Sequence, residues 1–184
     1  VYADPKAAIP SMILVAILFF TFQIYCDFSA YSEIAIGAAK VLGVDLSKNF
    51  NRPYFATSVQ DFWHRWHISL STWFRDYFYF PLGGSRVSKP RIYFNLFITF
   101  LISGMWHGAN WTFLVWGALH GIYVMIGKAT LEFRKKLADK LRISKFPKIH
   151  ALFQVMITFI LADIAWIFFR ATTLSDAFYI LTHL

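Results

Sequence analysis

The fold of this chain depends on one stretch of nine residues, Ser103-Gly104-Met105-Trp106-His107-Gly108-Ala109-Asn110-Trp111. The stretch lies inside a hydrophobic segment, Ile92 to Gly127, that contains no Asp, Glu, Lys or Arg. Apart from tyrosines, His107 and His120 are the only titratable side chains of that segment. An ionisable side chain in such surroundings costs free energy, so His107 marks a functional site by default. The glycines on either side weaken the helix and let another segment or a ligand approach the backbone.

The hydrophobic segment is too long for a single membrane crossing. As one straight helix it would extend about 54 Å, whereas the hydrocarbon core is about 30 Å thick. Basic residues lie at both of its ends, Arg86 to Arg91 before it and Lys128 to Lys136 after it. The positive-inside rule places both ends in the cytoplasm. We therefore expect a reversal near Gly104 to Asn110, with His107 at or beside a break between two helices. Irregular backbone at this depth is tolerated only around a cavity or inside protein, which predicts a reachable cavity near His107.

The composition agrees with a membrane protein. Hydrophobic residues make up 58% of the 184 residues and charged residues only 15%, and aromatic residues, which favour membrane interfaces, make up 20%. We predict an all-α, polytopic membrane helical bundle that forms a single domain over residues 1–184. The chain begins without Met and shows no signal-peptide pattern, so we expect a fragment of a longer protein. The single cysteine, Cys26, excludes an internal disulfide framework and a multi-cysteine metal site.

Most of the net charge of +8 lies in one basic loop, Lys128 to Lys148, which holds eight lysines and arginines against two acidic residues. In a chain this apolar, such a loop is typical of a cytoplasmic topology determinant, and we expect no nucleic-acid partner. A first hydrophobic segment opens at Pro10 and ends near Gly43, and a last span runs from about Ile149 to Phe169. The chain is therefore expected to be a multi-pass protein in contact with membrane lipid.

The segment Val59 to Phe80 is predicted to be an interfacial amphipathic helix. Projected at about 100° per residue, its aromatic residues fall on one face, which would enter the membrane, and its charged residues fall on the other. His64 lies at the edge of the polar face. His67 lies within the aromatic arc, where a solvated side chain does not belong. It is therefore a second candidate site residue, with simple packing against the interfacial tryptophans as the alternative.

Several readings of the candidate side chains remain open. His107 suits general acid–base catalysis at neutral pH, with a hydrogen-bonded core histidine and a haem or metal ligand as alternatives. No histidine or cysteine spacing supports a zinc site. Cys26 is expected to be inert rather than nucleophilic because no basic neighbour lowers its pKa. Asp27 and Glu33 either line a polar path or pair with arginine, and Asp163 needs a partner that the sequence does not identify.

Four ordered motifs resemble the membrane-bound O-acyltransferase (MBOAT) family. They are Asp27-Phe28-Ser29-x-Tyr31-Ser32, Asn49-Phe50-Asn51-Arg52-Pro53-Tyr54, Phe62-Trp63-x-Arg65-Trp66-His67-Ile68-Ser69 and Trp106-His107-Gly108-Ala109-Asn110-Trp111. A further run, Arg75-Asp76-Tyr77-x-Tyr79-x-Pro81-Leu82-Gly83-Gly84, is similar to the branch of the family that acetylates bacterial alginate. The resemblance covers the chain from about residue 20 to its end.

The resemblance implies an O-acyltransferase of the bacterial cytoplasmic (inner) membrane that takes part in O-acetylation of an exported polysaccharide such as alginate. It implies that His107 is the catalytic histidine and His67 a second important one, with Trp106, Asn110 and Trp63 as substrate-pocket candidates. No bound cofactor or metal is implied. The expected acyl donor is acetyl-CoA or another activated acetyl carrier from the cytoplasm. The expected partners are a polysaccharide acceptor and an extracytoplasmic acetyltransferase. Two alternatives are D-alanyl transfer to teichoic acid and a non-catalytic acyl channel or scaffold.

Overall fold

A computed structural model describes all 184 residues, and every regular element in it is helical. This confirms the all-α prediction. The α-helices are α1 Pro10–Val41, α2 Val59–Trp63, α3 Ile68–Phe74, α4 Lys89–His107, α5 Trp111–Ala129, α6 Leu131–Lys140, α7 Pro147–Arg170 and α8 Leu174–Thr182.

Three helices, α1, α5 and α7, are long and apolar enough to cross a membrane. Helix α1 begins at Pro10, as predicted, because a proline at the first helical position forgoes only an N–H that has no partner there. It buries one narrow stripe that includes Ile13, Ile17 and Thr21, while apolar side chains such as Phe19 and Ile34 are each 72% exposed. A helix with an apolar outer surface of this kind is typical of a membrane segment.

The predicted reversal in the hydrophobic segment is confirmed. Helix α4 ends at His107, and α5 begins at Trp111 after the N-cap Asn110. The two helices pack closely because Gly104 and Gly117 face each other. A Cβ added to Gly104 would lie 2.4 Å from the Phe113 carbonyl oxygen and 3.1 Å from the Gly117 Cα. The glycines of the opening stretch therefore act mainly in helix packing, and they place His107 at the tip of a tight helical hairpin.

The prediction of one continuous helix over Val59 to Phe80 is wrong. The segment divides into α2, α3 and a π-helical turn, Arg75–Tyr79, and the first break falls at His67, where φ is 44° and ψ is 54°. One left-handed residue ends the 100° rotation on which the projection depends. The aromatic side chains therefore do not share a single outward face. Phe62, Trp66 and Phe74 are buried within the protein, whereas Tyr77 is 67% exposed.

The core lies where α1, α2, α5 and α7 meet, and it is built from large aromatic rings. Trp66 and Trp166 have ring centroids 5.0 Å apart, and Trp116 stacks on Trp166 at 6.1 Å. Asp163, whose partner the sequence left open, accepts a hydrogen bond of 2.6 Å from the Thr21 hydroxyl. This bond joins α7 to α1, and the Tyr54 hydroxyl donates to the Thr21 carbonyl oxygen at 2.6 Å.

The basic region after α5 is helical rather than a loop. It contains α6 and a 3₁₀ turn, Ile143–Lys145, and most of its side chains are exposed. The last predicted span is confirmed as α7. It is followed by α8, which the sequence analysis did not predict. Thr173 caps α8 by accepting from the Asp176 backbone N–H, a recognisable start signal before an apolar run.

Candidate functional site

His107 is the last residue of α4, and its imidazole lies among aromatic rings. Trp116 and Phe169 meet it edge to face, with ring centroids 4.9 Å and 5.1 Å away, and Trp106 lies at 5.1 Å. Neither ring nitrogen of His107 makes a hydrogen bond to another residue of this chain. The hydrogen-bonded core histidine, one of the alternatives drawn from the sequence, is therefore not what the structure contains. The ring is held by packing against its aromatic neighbours.

His67 occupies the break between α2 and α3. Its positive φ is uncommon for any residue other than glycine, and such strained positions occur most often at functional sites. The imidazole meets the Phe28 ring edge to face at 4.6 Å. Burial, together with the charge that His107 can carry, lowers the pKa of His67 to about 4. The His67 ring is therefore neutral at pH 7.

The strained backbone at His67 is held by the segment that begins at Asn49. The Asn49 carbonyl oxygen accepts from the Ile68 N–H at 3.0 Å, and the Asn51 N–H donates to the Arg65 carbonyl oxygen at 2.9 Å. The Asn49 side chain accepts from the Ser69 hydroxyl at 2.6 Å. Sequence reasoning had assigned Asn49 to no site. These contacts join residues that are 14 to 20 positions apart, so no local pattern reveals them.

His67 and His107 share no hydrogen bond, yet they lie close enough for a charge on one to affect the other. Two pairs of aromatic contacts bring them to the same region. Phe28, which packs on His67, and Phe169, which packs on His107, both line one cleft of about 500 Å³. We call it the α1 cleft. It also contains the charged side chains of Asp27 and Arg170.

A second opening of about 500 Å³, which we call the α4 cavity, shares no lining residue with the α1 cleft. On α4 it is lined by Thr99, Phe100 and Ser103, and on α2 by Trp63. Ser103 is buried and stands one helical turn before His107. The cations Arg75 and Lys128 also line the cavity, and both are exposed, so they mark its solvent-facing end. His107 lines neither opening: the α4 cavity reaches Ser103, and the α1 cleft reaches Phe169, which packs on His107.

The three substrate-pocket candidates lie in different places. Trp63 lines the α4 cavity, whereas Trp106 is 57% exposed and only its ring edge reaches His107. Asn110 uses both ends of its side chain in structure. Its Oδ1 accepts from the Thr112 N–H at 3.1 Å, and its Nδ2 donates to the Thr172 carbonyl oxygen at 3.1 Å. In this structure Asn110 caps α5 and ties the hairpin tip to the segment before α8.

The remaining candidate side chains have simple surroundings. Cys26 is exposed, and Asp27 and Glu33 are exposed on α1 without an ion pair. No group of three or more His, Cys, Asp or Glu side chains lies together in an arrangement that would hold a metal ion.

Asp61 forms a partly buried ion pair with Arg65 at 2.8 Å. Burial alone would raise the pKa of Asp61, but hydrogen bonds from Arg65 and from the Thr57 N–H hold it below the ordinary value.

Comparison with known proteins places this chain in a family. The model of the membrane-bound O-acyltransferase family matches residues 6–171. The chain is 45% identical over 160 residues to a probable alginate O-acetylase of Pseudomonas aeruginosa, which covers 87% of this chain and 29% of that protein. It is also 45% identical over 164 residues to a peptidoglycan O-acetyltransferase of Helicobacter pylori, which covers 89% of this chain and 30% of that protein.

A more distant relative is a teichoic acid D-alanyltransferase of Bacillus subtilis. It is 33% identical over 124 residues, which cover 64% of this chain and 31% of that protein. The chain thus spans about three-tenths of the length of the curated relatives it matches.

Proposed function

Because the chain belongs to the membrane-bound O-acyltransferase family, we propose that the complete protein transfers acetyl groups for O-acetylation of an exported polysaccharide such as alginate. We place it in the bacterial cytoplasmic membrane as a multi-pass protein. The observation that carries the proposal is the imidazole of His107, which makes no hydrogen bond within the chain and packs on Phe169, a residue that lines the α1 cleft.

The proposed step is general-base catalysis of acyl transfer. His107 takes the proton from an acceptor hydroxyl while that oxygen attacks the carbonyl carbon of an acetyl thioester. The tetrahedral intermediate expels the sulfur, the C–S bond breaks, and the imidazolium of His107 returns a proton to the leaving thiolate. A positioned base of this kind typically contributes roughly 10²- to 10⁴-fold in rate. His67, neutral and close by, orients the acyl donor or donates a hydrogen bond to the developing oxyanion.

The two openings suit the two substrates. The α4 cavity has exposed cations, Arg75 and Lys128, at its solvent-facing end, which suits the phosphates of acetyl-CoA or the phosphate of another acetyl carrier. Lys128 also begins the basic region that the positive-inside rule assigns to the cytoplasm. The α1 cleft is the corresponding route on the opposite side, and there a polysaccharide, or an extracytoplasmic acetyltransferase that passes the group on, would accept the acetyl group.

The test measures acetyl content of the exported polysaccharide in cells that carry the full-length protein or its variants. We expect His107→Ala and His107→Gln to lower acetylation by at least about 100-fold, because glutamine keeps a polar side chain but no base. His150→Ala is the matched control, since His150 lies at the start of α7 away from the site, and it is expected to retain acetylation. Retained acetylation in His107→Gln would support the channel or scaffold alternative.

The activities of the relatives define the competing acceptors. The alginate and peptidoglycan O-acetylating relatives are equally similar at 45% identity, and the D-alanyltransferase is less similar at 33%. Acetyl transfer to a sugar hydroxyl is therefore favoured over D-alanyl transfer. Analysis of the acetyl ester and D-alanyl ester content of the purified alginate, peptidoglycan and teichoic acid from the same cells identifies the acceptor.

A further inference from the structure

We propose that His120 is a positioning residue that holds the indole of Trp63 in place as a wall of the α4 cavity. His120 lies on α5 and is only 1% exposed. The Trp63 Nε1–H donates a hydrogen bond of 3.2 Å to His120 Nδ1, and this is the one side-chain hydrogen bond between α2 and α5. The test by enzyme kinetics rests on the proposed function, whereas the test by cysteine alkylation does not.

The hydrogen bond determines the state of the imidazole. Because Nδ1 accepts, the ring is neutral and its proton lies on Nε2. That Nε2–H is buried and has no partner, which is costly in free energy. An apolar side chain would avoid the cost altogether. The presence of histidine at this position is therefore explained by what Nδ1 does, namely hold Trp63.

Aromatic neighbours keep the His120 ring in one orientation. Phe62 stacks nearly parallel to it, with an interplanar angle of 5° and a centroid distance of 6.3 Å. Trp116 and Trp63 meet it edge to face, each at 5.0 Å. A ring constrained on several sides presents Nδ1 in a single direction, which is what a positioning role requires.

Trp63 transmits this constraint to the site. It is the last residue of α2, directly before the break that contains His67, and its ring packs on Phe100 at 5.3 Å across the lining of the α4 cavity. His120 also contacts Trp116, the ring that packs on His107 at 4.9 Å. The His120 imidazole thus contacts Trp63, which forms a wall of the cavity, and Trp116, which packs on His107. It acts through these two residues.

The variants separate the hydrogen bond from the packing volume. His120→Asn keeps an acceptor near the position of Nδ1 but is smaller than histidine, whereas His120→Leu is closer in volume and has no acceptor. Trp63→Phe removes the donor and keeps an aromatic ring. If volume mattered most, His120→Leu would be the milder change. If the hydrogen bond matters, His120→Asn is the milder change.

The structural readout is the alkylation of a cysteine inside the cavity. In a full-length protein in which Cys26 and any other cysteine are replaced by serine, Thr99→Cys places a thiol on the α4 wall of the cavity, and its rate of reaction with N-ethylmaleimide reports how freely the cavity opens. We expect His120→Leu and Trp63→Phe each to raise the rate several-fold and His120→Asn to leave it unchanged. Adding His120→Leu to Trp63→Phe should give no further increase, because both changes break the same bond.

The kinetic readout is acetyl transfer with acetyl-CoA as the donor. We expect His120→Leu to raise the KM for acetyl-CoA roughly three- to tenfold, the effect of losing one hydrogen bond, with a smaller change in kcat.

Three alkylation results would overturn the proposal. They are a rate in His120→Asn as high as in His120→Leu, a rate in His120→Leu equal to that of the parent, and effects of the two single changes that multiply in the double variant. If His107→Ala remains active, the proposed function fails, and the alkylation rates still decide the role of His120. If His120→Leu does not fold, His120→Ala takes its place, since it also removes the acceptor, and its rate is compared with that of His120→Asn in the same way.

Discussion

At the scale of single residues, the two candidate histidines are held in different ways. The side chain of His107 is positioned by ring contacts alone, at the end of an otherwise regular helix. The backbone of His67 is strained, and main-chain and side-chain bonds from the Asn49 segment keep it so. A strained backbone at a residue other than glycine is most often found where the side chain itself is needed, which favours a role for the His67 imidazole.

Substitutions at His67 separate strain from chemistry. Glycine adopts a positive φ without steric cost, so His67→Gly should unfold at about the same temperature as the parent in detergent. Valine is β-branched and fits this backbone poorly, so His67→Val should lose about 1–3 kcal/mol of stability. Both variants lack the imidazole, and we expect both to lose acetylation in cells. Acetylation by His67→Gly at the level of the parent would show that the ring has no chemical role.

At the scale of elements, the α4–α5 hairpin positions the site. Its two helices touch at the backbones of Gly104 and Gly117, where a larger side chain would not fit. The position of His107 at the end of α4 therefore depends on these glycines. The break itself is stabilised by the Asn110 cap and by its bond to the Thr172 carbonyl oxygen. The hairpin therefore supports His107 rigidly. A substitution in the hairpin that is remote from the imidazole can still displace the imidazole.

A pair of glycine substitutions tests the hairpin. Gly104→Ala places a methyl group 2.4 Å from the Phe113 carbonyl oxygen, and relief of that contact requires the two helices to separate. We expect a loss of about 1–3 kcal/mol, typical of overpacking, together with reduced acetylation. Gly127→Ala is the control on α5, since its added methyl group meets nothing within 4 Å. It should raise the stability by about 0.5–1 kcal/mol through helix propensity. Thermal unfolding in detergent measures both, and equal effects of the two changes would contradict the packing argument.

At the scale of the whole molecule, the distribution of charge and the course of the helices agree on an orientation. The exposed basic helix α6 lies between α5 and α7, and α7 then extends about 36 Å before α8 begins. That length exceeds the hydrocarbon core, so α6 and α8 are expected on opposite sides of the membrane. In this orientation the α4 cavity, which includes Lys128, opens on the side of the basic residues.

Cysteine labelling in intact cells tests this orientation. In a full-length protein without other cysteines, Lys136→Cys on α6 should react with a membrane-impermeant maleimide only after the cells are permeabilised. Ser175→Cys on α8 should react in intact cells, because the positive-inside rule places the basic helix in the cytoplasm. Both positions are exposed, so lack of access to the thiol would not explain a negative result. Labelling of both cysteines from the same side would contradict the orientation.

The sequence by itself determined the all-helical membrane class, the start of α1, the presence of α7, the reversal beside His107 and the family motifs. These features depend on composition, on segment length and on residues that are neighbours in the chain. Only the tertiary structure decided the left-handed break at His67, the support from Asn49, the bond from Trp63 to His120 and the partner of Asp163. A helical projection assumes a constant rotation per residue, and one residue at a positive φ ends it. The other contacts join positions 20 to 142 residues apart, and packing of separate helices, rather than any local periodicity, brings such positions together.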